Sequence, residues 1–261
     1  MQAGRRCDEA DFERRSMQRR ELLAALSGSL LCPAALAQAA HAAAPASFGA
    51  ERGAGGLPAG WQQQALSSRK KLTDYRLTQE GGSQVLHARA RDAASMLLCD
   101  RVPDLKAFPR VRWQWKLGRL PTQADNAVAS REDSAARLIF MFDGDRSQLS
   151  LRDRTVMRMA KTLSGQEMPF ATLMWVSSAV APVGTLVSNS YTRRVQMLVA
   201  ARAQDGLGRW QSFERDLVQD YRRAFGQPPG RLIAYGVMSD SDNTRSEAES
   251  WYSAIRFLPP T

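Results

Sequence analysis

The stretch Gly236–Phe257, GVMSDSDNTRSEAESWYSAIRF, concentrates the side chains of this sequence that could do chemistry. Asp240, Asp242 and Asn243 place three oxygen-bearing side chains within four residues, beside Thr244 and Arg245. Carboxylate and amide oxygens crowded into a tight turn suit a hard cation such as Ca2+, or the hydroxyls of a sugar. The loop lacks the rest of an EF-hand, notably the glycine at the sixth position and the glutamate at the twelfth. A structural reading competes: Thr244-Arg245-Ser246-Glu247 has the form of a capping box opening a helical turn, with Asx turns before it.

Three further residues are candidates for ligand binding. Asp133 and Arg137 straddle the start of an apolar run, where a charged pair can anchor a hydroxyl-rich ligand or close a salt bridge at a sheet end. Trp175 could offer an aromatic face to a pyranose. Trp113 and Trp115 share one strand face with Val111 and Leu117, which predicts core packing for both. The ligand-binding set read from the residues is therefore Asp133, Arg137, Trp175, Asp240, Asp242, Asn243 and Arg245.

Several chemistries are poorly supported. The chain has 261 residues and two histidines, His41 and His87. His87, in Val85-Leu86-His87-Ala88, reads as a strand surface residue. One imidazole beyond the leader leaves little for a metal hydrolase or a Ser-His-Asp site, which need more or need one beside a nucleophile. Cys99 is the one cysteine beyond the leader; it lies in an apolar run and reads as a buried thiol. No nucleophile elbow, phosphate loop or dinucleotide fingerprint occurs, and no cofactor is implied. Paired carboxylates for glycoside cleavage are available among Asp133, Asp143, Asp145, Asp240 and Asp242, but their separations are not readable in sequence.

The elements that must position these residues are short strands. Asp74–Gln79 and Ser83–Ala90 flank Gly81-Gly82, a hairpin signal. Val111-Arg112-Trp113-Gln114-Trp115-Lys116-Leu117 alternates strictly and predicts a half-buried strand. Ala136–Phe142 is apolar on both faces except at Arg137, as a central strand would be. Further strands are predicted at Ala94–Cys99, Ala171–Val176, Gly184–Val187, Val195–Ala200, Trp210–Phe213, Leu232–Met238 and Ile255–Phe257. Helices are predicted over Arg152–Leu163, stopped by Gly165, and over Asp216–Phe225, stopped by Gly226. Strands in succession with few helices predict an all-β antiparallel β-sandwich, jelly-roll or concanavalin-like, with one or two short helices.

The N-terminal residues read as a targeting segment. Ser16-Met17-Gln18-Arg19-Arg20-Glu21-Leu22-Leu23 has the form of a twin-arginine export signal; an apolar run to Leu36 and small-x-small sites near residues 39–42 follow. Residues 1–42 are therefore expected to be an export signal with an upstream extension, 43–60 a flexible linker, and 61–261 one sandwich domain. The expected location is periplasmic or secreted, with no transmembrane span in the mature chain. The formal charge is +10, carried almost entirely by scattered arginines, with five lysines in the chain. Scattered cations on an exported protein argue against nucleic acid and leave a glycan or envelope polysaccharide as the expected partner.

Several stretches together resemble an uncharacterised family of exported bacterial proteins, catalogued as a domain of unknown function. They are Leu120–Asn126, Asp133–Arg137, Met168–Trp175, Trp210 with Asp220–Gly226, and Val237–Thr244. The resemblance spans about Trp61 to the C-terminus and is most specific in Asp240-Ser241-Asp242-Asn243-Thr244. It implies a β-sandwich similar to carbohydrate-binding modules and concanavalin-like folds, and no activity. Where such families often carry an aromatic-Gly-Asp on the last strand, this chain reads Tyr252-Ser253-Ala254, one carboxylate fewer. The residues favour a non-catalytic sandwich binding a glycan or another hydroxylated ligand. The alternatives are a polysaccharide lyase or glycoside hydrolase using carboxylate, Tyr and Arg groups, and an envelope scaffold without a small ligand.

Overall fold

A computed structural model of the chain describes Phe48 and residues 53–261. The expected export signal, 1–42, lies outside the described residues. Within 43–60, expected as a linker, Phe48 is buried with its ring 5.2 Å from that of Trp61, and Leu57 packs on the same core.

Among the described residues, thirteen strands form two sheets. The strands are β1 (Trp61–Ala65), β2 (Asp74–Glu80), β3 (Ser83–Arg91), β4 (Ala94–Cys99), β5 (Arg110–Arg119), β6 (Ser134–Phe142) and β7 (Ala171–Ser178). They continue as β8 (Leu186–Ser188), β9 (Val195–Arg202), β10 (Trp210–Asp216), β11 (Leu232–Asp240), β12 (Glu247–Tyr252) and β13 (Arg256–Leu258). The seven-stranded sheet has the order β1-β4-β11-β6-β7-β9-β8, and the six-stranded sheet runs β10-β5-β12-β3-β2 with β13 also on β5. All pairs are antiparallel except β7 with β9. The predicted antiparallel sandwich is the observed fold.

Local chemistry accounts for most of these elements. Gly81 and Gly82 adopt φ of +57° and +77°, the backbone that a two-residue turn between right-twisted strands requires. Strand β5 buries Val111, Trp113, Trp115 and Leu117 and turns Arg112 and Gln114 outward. Strand β6 is buried along its whole length, because the seven-stranded sheet is apolar on both sides: Leu138 and Phe140 face the core, while Ile139 and Met141 join Met96 and Met238 in a second cluster. The helix Leu151–Ser164 is capped by Ser150, whose hydroxyl accepts from Asp153 N, and ends at Gly165 with φ +72°. The helix Leu217–Phe225 has the same devices in Asp216 and Gly226.

Strand β12 departs from expectation. The stretch Thr244–Glu247 was predicted to open a helical turn, yet Glu247 begins a strand in the middle of the six-stranded sheet, paired with β3 and β5. Its inward residues Ala248, Ser250 and Tyr252 are mostly small or polar, so the segment carries no apolar period of two. Its outward Glu247 meets Arg119 and Arg91 of the neighbouring strands, and Glu249 meets Arg89 and the His87 imidazole. Cross-strand pairing, rather than hydrophobicity, holds it in register.

The core is an aromatic stack between the sheets. Trp175 of β7 lies parallel to Trp113 of β5 at 4.7 Å and 10°. Phe213 of β10 stacks on Trp113 from 4.9 Å, and Phe140 of β6 meets Trp175 edge-on at 4.6 Å. Offset stacking and edge-to-face contact are the arrangements that aromatic quadrupoles favour.

Candidate functional site

Strand register builds the acidic site. Strands β11 and β6 run antiparallel, so Asp240 ends one strand opposite Ser134, which begins the other. A bulge between Met238 and Asp240 shifts the register and turns the Asp240 carboxylate toward Arg137. The two form a bidentate pair: Nε donates to Oδ1 and an Nη to Oδ2, both at 2.9 Å, and Ser134 N also donates to Oδ1 at 3.0 Å. Both residues are about 2% exposed. The guanidinium donates further to the Glu132 carbonyl at 2.6 Å and abuts the Met197 sulfur at 3.2 Å.

The loop after β11 is fastened by Asp133. Its carboxylate accepts from Asn243 N at 3.2 Å, from Thr244 N at 2.8 Å and from the Thr244 hydroxyl at 2.6 Å. Thr244 thus serves Asp133 and Ser246 rather than capping a helix. Arg245 takes the left-handed region at φ +50° as the chain reverses, and its charge helps hold the Asp92 carboxyl below its ordinary range, after the larger effect of Lys71. Lys70 pairs with Asp242 at 2.5 Å. Among the described residues the other carboxylate oxygen of Asp242, which is buried, has no partner, and neither has the buried Ser241 hydroxyl.

Burial dominates the electrostatics. It pushes the Asp240 carboxyl up to about 7 against the opposing pull of Arg137. Burial also opposes the Arg137 charge, but the Asp240 and Glu132 carboxylates outweigh it and hold the guanidinium above its ordinary pKa. Glu132 is raised as well, again chiefly by burial; Arg137 and a hydrogen bond from Asn189 at 3.1 Å oppose the shift.

The carboxylates of Asp133, Asp240 and Asp242 each offer an oxygen within 4.8 Å of the others, a spacing a cation could bridge. Their present engagements do not fit Ca2+, which takes six to eight oxygens. Asp240 is saturated by Arg137 and Ser134, Asp133 by the loop, and one oxygen of Asp242 by Lys70. Arg137 and Lys70 already supply the positive charge that the cluster needs. One free carboxylate oxygen is not a calcium site.

Of the residues singled out in sequence, the structure brings Asp133, Arg137, Asp240, Asp242 and Asn243 together, with Arg245 exposed on the same loop. Trp175 does not join them. It is fully buried between the sheets, and neither face of its ring reaches solvent, so its expected role in ligand binding is withdrawn. The alternation that placed Trp113 and Trp115 inside was missing for Trp175, because β7 is buried on both faces. Sequence reasoning missed Lys70, Glu132 and Asn189. Glu132 adjoins Asp133 and was within reach; Lys70 and Asn189 arrive from distant connections and carry no local signal.

Asn189 joins this cluster to open space. A cleft of about 410 Å3 lies on its other side, lined by Ser150, Arg152, Asp153, Ser188, Asn189, Ser190, Thr192 and Arg193. Asp153 is held in its wall by the hydroxyls of Thr192 at 2.6 Å and Ser150 at 2.7 Å. These bonds lower its pKa despite the opposing effect of burial. The Arg193 side chain has no carboxylate partner among the described residues.

No curated protein matches the chain. Among solved structures, the carbohydrate recognition domain of Emp47p is similar at 12% identity over 84% of this chain and 95% of that one. The TM-score is 0.36, too low to bear on what this chain binds. A family model described as "Protein of unknown function (DUF3047)" matches residues 59–256, nearly the whole sandwich, with the Asp240 loop inside it. The chain belongs to the DUF3047 family.

Proposed function

We infer that this domain is a non-catalytic binder of a glycan or another hydroxylated ligand. The observation that carries this reading is the cleft beside Asn189, whose lining residues carry hydroxyls, an amide, a carboxylate and arginines. Hydroxyl-rich ligands need such alternating donors and acceptors to replace their lost water. The acidic loop adds a buried Asp242 oxygen with no partner among the described residues, an acceptor that a ligand hydroxyl inserted there would satisfy. Binding is favoured over hydrolysis because Asp133 and Asp240 are both engaged by internal donors, which leaves neither free to move a proton in a reacting centre.

Asn189→Ala and Asp242→Asn test the reading. On a glycan array followed by calorimetry on the best hit, each variant is expected to weaken binding roughly tenfold, the value of one or two lost hydrogen bonds to a partly charged site. Melting temperature should hold within a few degrees, since neither side chain belongs to the core. A wild-type protein that binds nothing on the array, or variants that bind as the wild type does, would remove the assignment.

A further inference from the structure

The helix Leu151–Ser164 is not required by the sandwich. Strands β6 and β7 are antiparallel neighbours that a short hairpin could join, yet residues 143–170 are interposed between them. The helix buries Asp153 and Met157 toward the body of the domain. Its solvent side then carries an unusual residue set. Leu151 is 81% exposed, Met159 60% and Leu163 59%. These positions lie at multiples of four residues, twelve from first to last, so with Thr155 they form one ridge of about 18 Å along the helix. Tyr191, itself 62% exposed, sits at the start of the ridge, where its carbonyl accepts from Arg152.

A second ridge runs beside the first. Arg154, Arg158 and Lys161 recur at helical spacing on the adjoining strip, all exposed. Among the described residues no carboxylate pairs with Arg152, Arg154 or Arg158: Arg152 and Arg154 donate to backbone carbonyls, which leave the charge in place. Lys161 pairs with Glu167 at 2.7 Å. The one acid of the helix, Asp153, is buried and already satisfied by Ser150 and Thr192.

We propose that this helix docks the domain on the surface of an anionic phospholipid bilayer, with Leu151, Met159 and Leu163 in the headgroup–acyl boundary and Arg154, Arg158 and Lys161 on the phosphates. An apolar stripe edged by cations, of which Arg154 and Arg158 have no carboxylate partner among the described residues, is the pattern of helices that lie in the membrane interface. Among the described residues no helix is long and apolar enough to cross a membrane, so the contact is one of lying on it. The Tyr191 ring adds an interfacial aromatic at one end of the ridge. The positive strip selects the partner: it complements phosphatidylglycerol-type headgroups and has no counterpart on a neutral bilayer.

Vesicle co-sedimentation of the full chain tests the proposal. Wild type is expected to pellet with phosphatidylglycerol/phosphatidylcholine vesicles and not with pure phosphatidylcholine, and to be released as ionic strength rises. The triple variants Leu151→Ser/Met159→Ser/Leu163→Ser and Arg154→Gln/Arg158→Gln/Lys161→Gln should each partition at least about tenfold less, with unchanged circular dichroism and melting temperature. Both variants change only exposed side chains, so loss of fold is separable from loss of docking. Equal pelleting of wild type with neutral and anionic vesicles would overturn the proposal, as would binding retained by either variant. A wild-type dimer that the serine variant converts to monomer, without vesicle binding, would assign the ridge to a second copy of the chain and overturn it too.

Discussion

Asp240→Ala is expected to cost the domain about 3–5 kcal/mol, the loss typical when one member of a buried ion pair is removed. Arg137 would keep its charge at about 2% exposure, with the Met197 sulfur, the Glu132 carbonyl and the more distant Glu132 carboxylate left to it. In a domain of this size that corresponds to a fall in Tm on the order of 10 °C, measurable by calorimetry or urea titration. Asp240→Leu combined with Arg137→Met should recover most of the loss, because neither desolvated charge then remains. A single variant as stable as wild type would show that the pair contributes little. A double variant no better than the single would show that the bulge, rather than the charge, needs these residues.

The same pair gives stability a pH dependence with a defined sign. Burial raises Asp240 to about 7 in the folded protein, whereas the unfolded chain releases this proton near 3.8. Between those values the folded state holds more protons than the unfolded one, so this contribution is full below 3.8 and is lost as pH rises through about 7. Glu132, also raised, acts in the same direction. Urea midpoints taken across that window should fall more steeply with rising pH for wild type than for the Asp240→Leu/Arg137→Met variant. Parallel curves would remove Asp240 as the titrating group.

Trp175→Ala is expected to be comparably destabilising, by about 3–5 kcal/mol, since it empties the centre of the aromatic stack. Trp113 would lose the ring lying 4.7 Å away and Phe140 its edge contact, on opposite sheets of the sandwich. Trp175→Phe should cost much less. It keeps a ring in place and removes an indole N–H that has no partner in the core. Chemical denaturation of both variants checks the order. If Trp175→Ala unfolds like wild type while ligand binding is lost, Trp175 belongs to a site after all and its assignment to the core fails.

How much of this could be read from the chain differs by element. The strict alternation of β5 determined both its existence and its buried face, because a period of two is a property of consecutive residues. Gly81-Gly82 determined the β2–β3 hairpin, and serine, aspartate and glycine at the helix ends set the bounds of both helices, for the same local reason. Strand β12 was illegible: Ala248 and Ser250 offer no apolar signal, and its place was decided by pairing with β3 and β5, distant in sequence. Trp175 was legible as apolar but not as inward, since β7 is covered on both faces.

The cluster around Asp240 divides in the same way. The sequence by itself determined that Asp240, Asp242, Asn243 and Thr244 lie together at one strand end, and that Asp133 and Arg137 flank one strand start. Only the tertiary structure decided what they do there. The β11–β6 register and its bulge turned Asp240 into the partner of Arg137, and Asp133 into the clasp of the loop. Lys70 and Asn189, from connections far along the chain, settled which oxygens stay free and where the cluster meets the cleft. Whether a carboxylate is a ligand, a clasp or half of an ion pair depends on which donors lie within about 3 Å of it, and in a sandwich those donors arrive through strand pairing rather than from its neighbours in sequence.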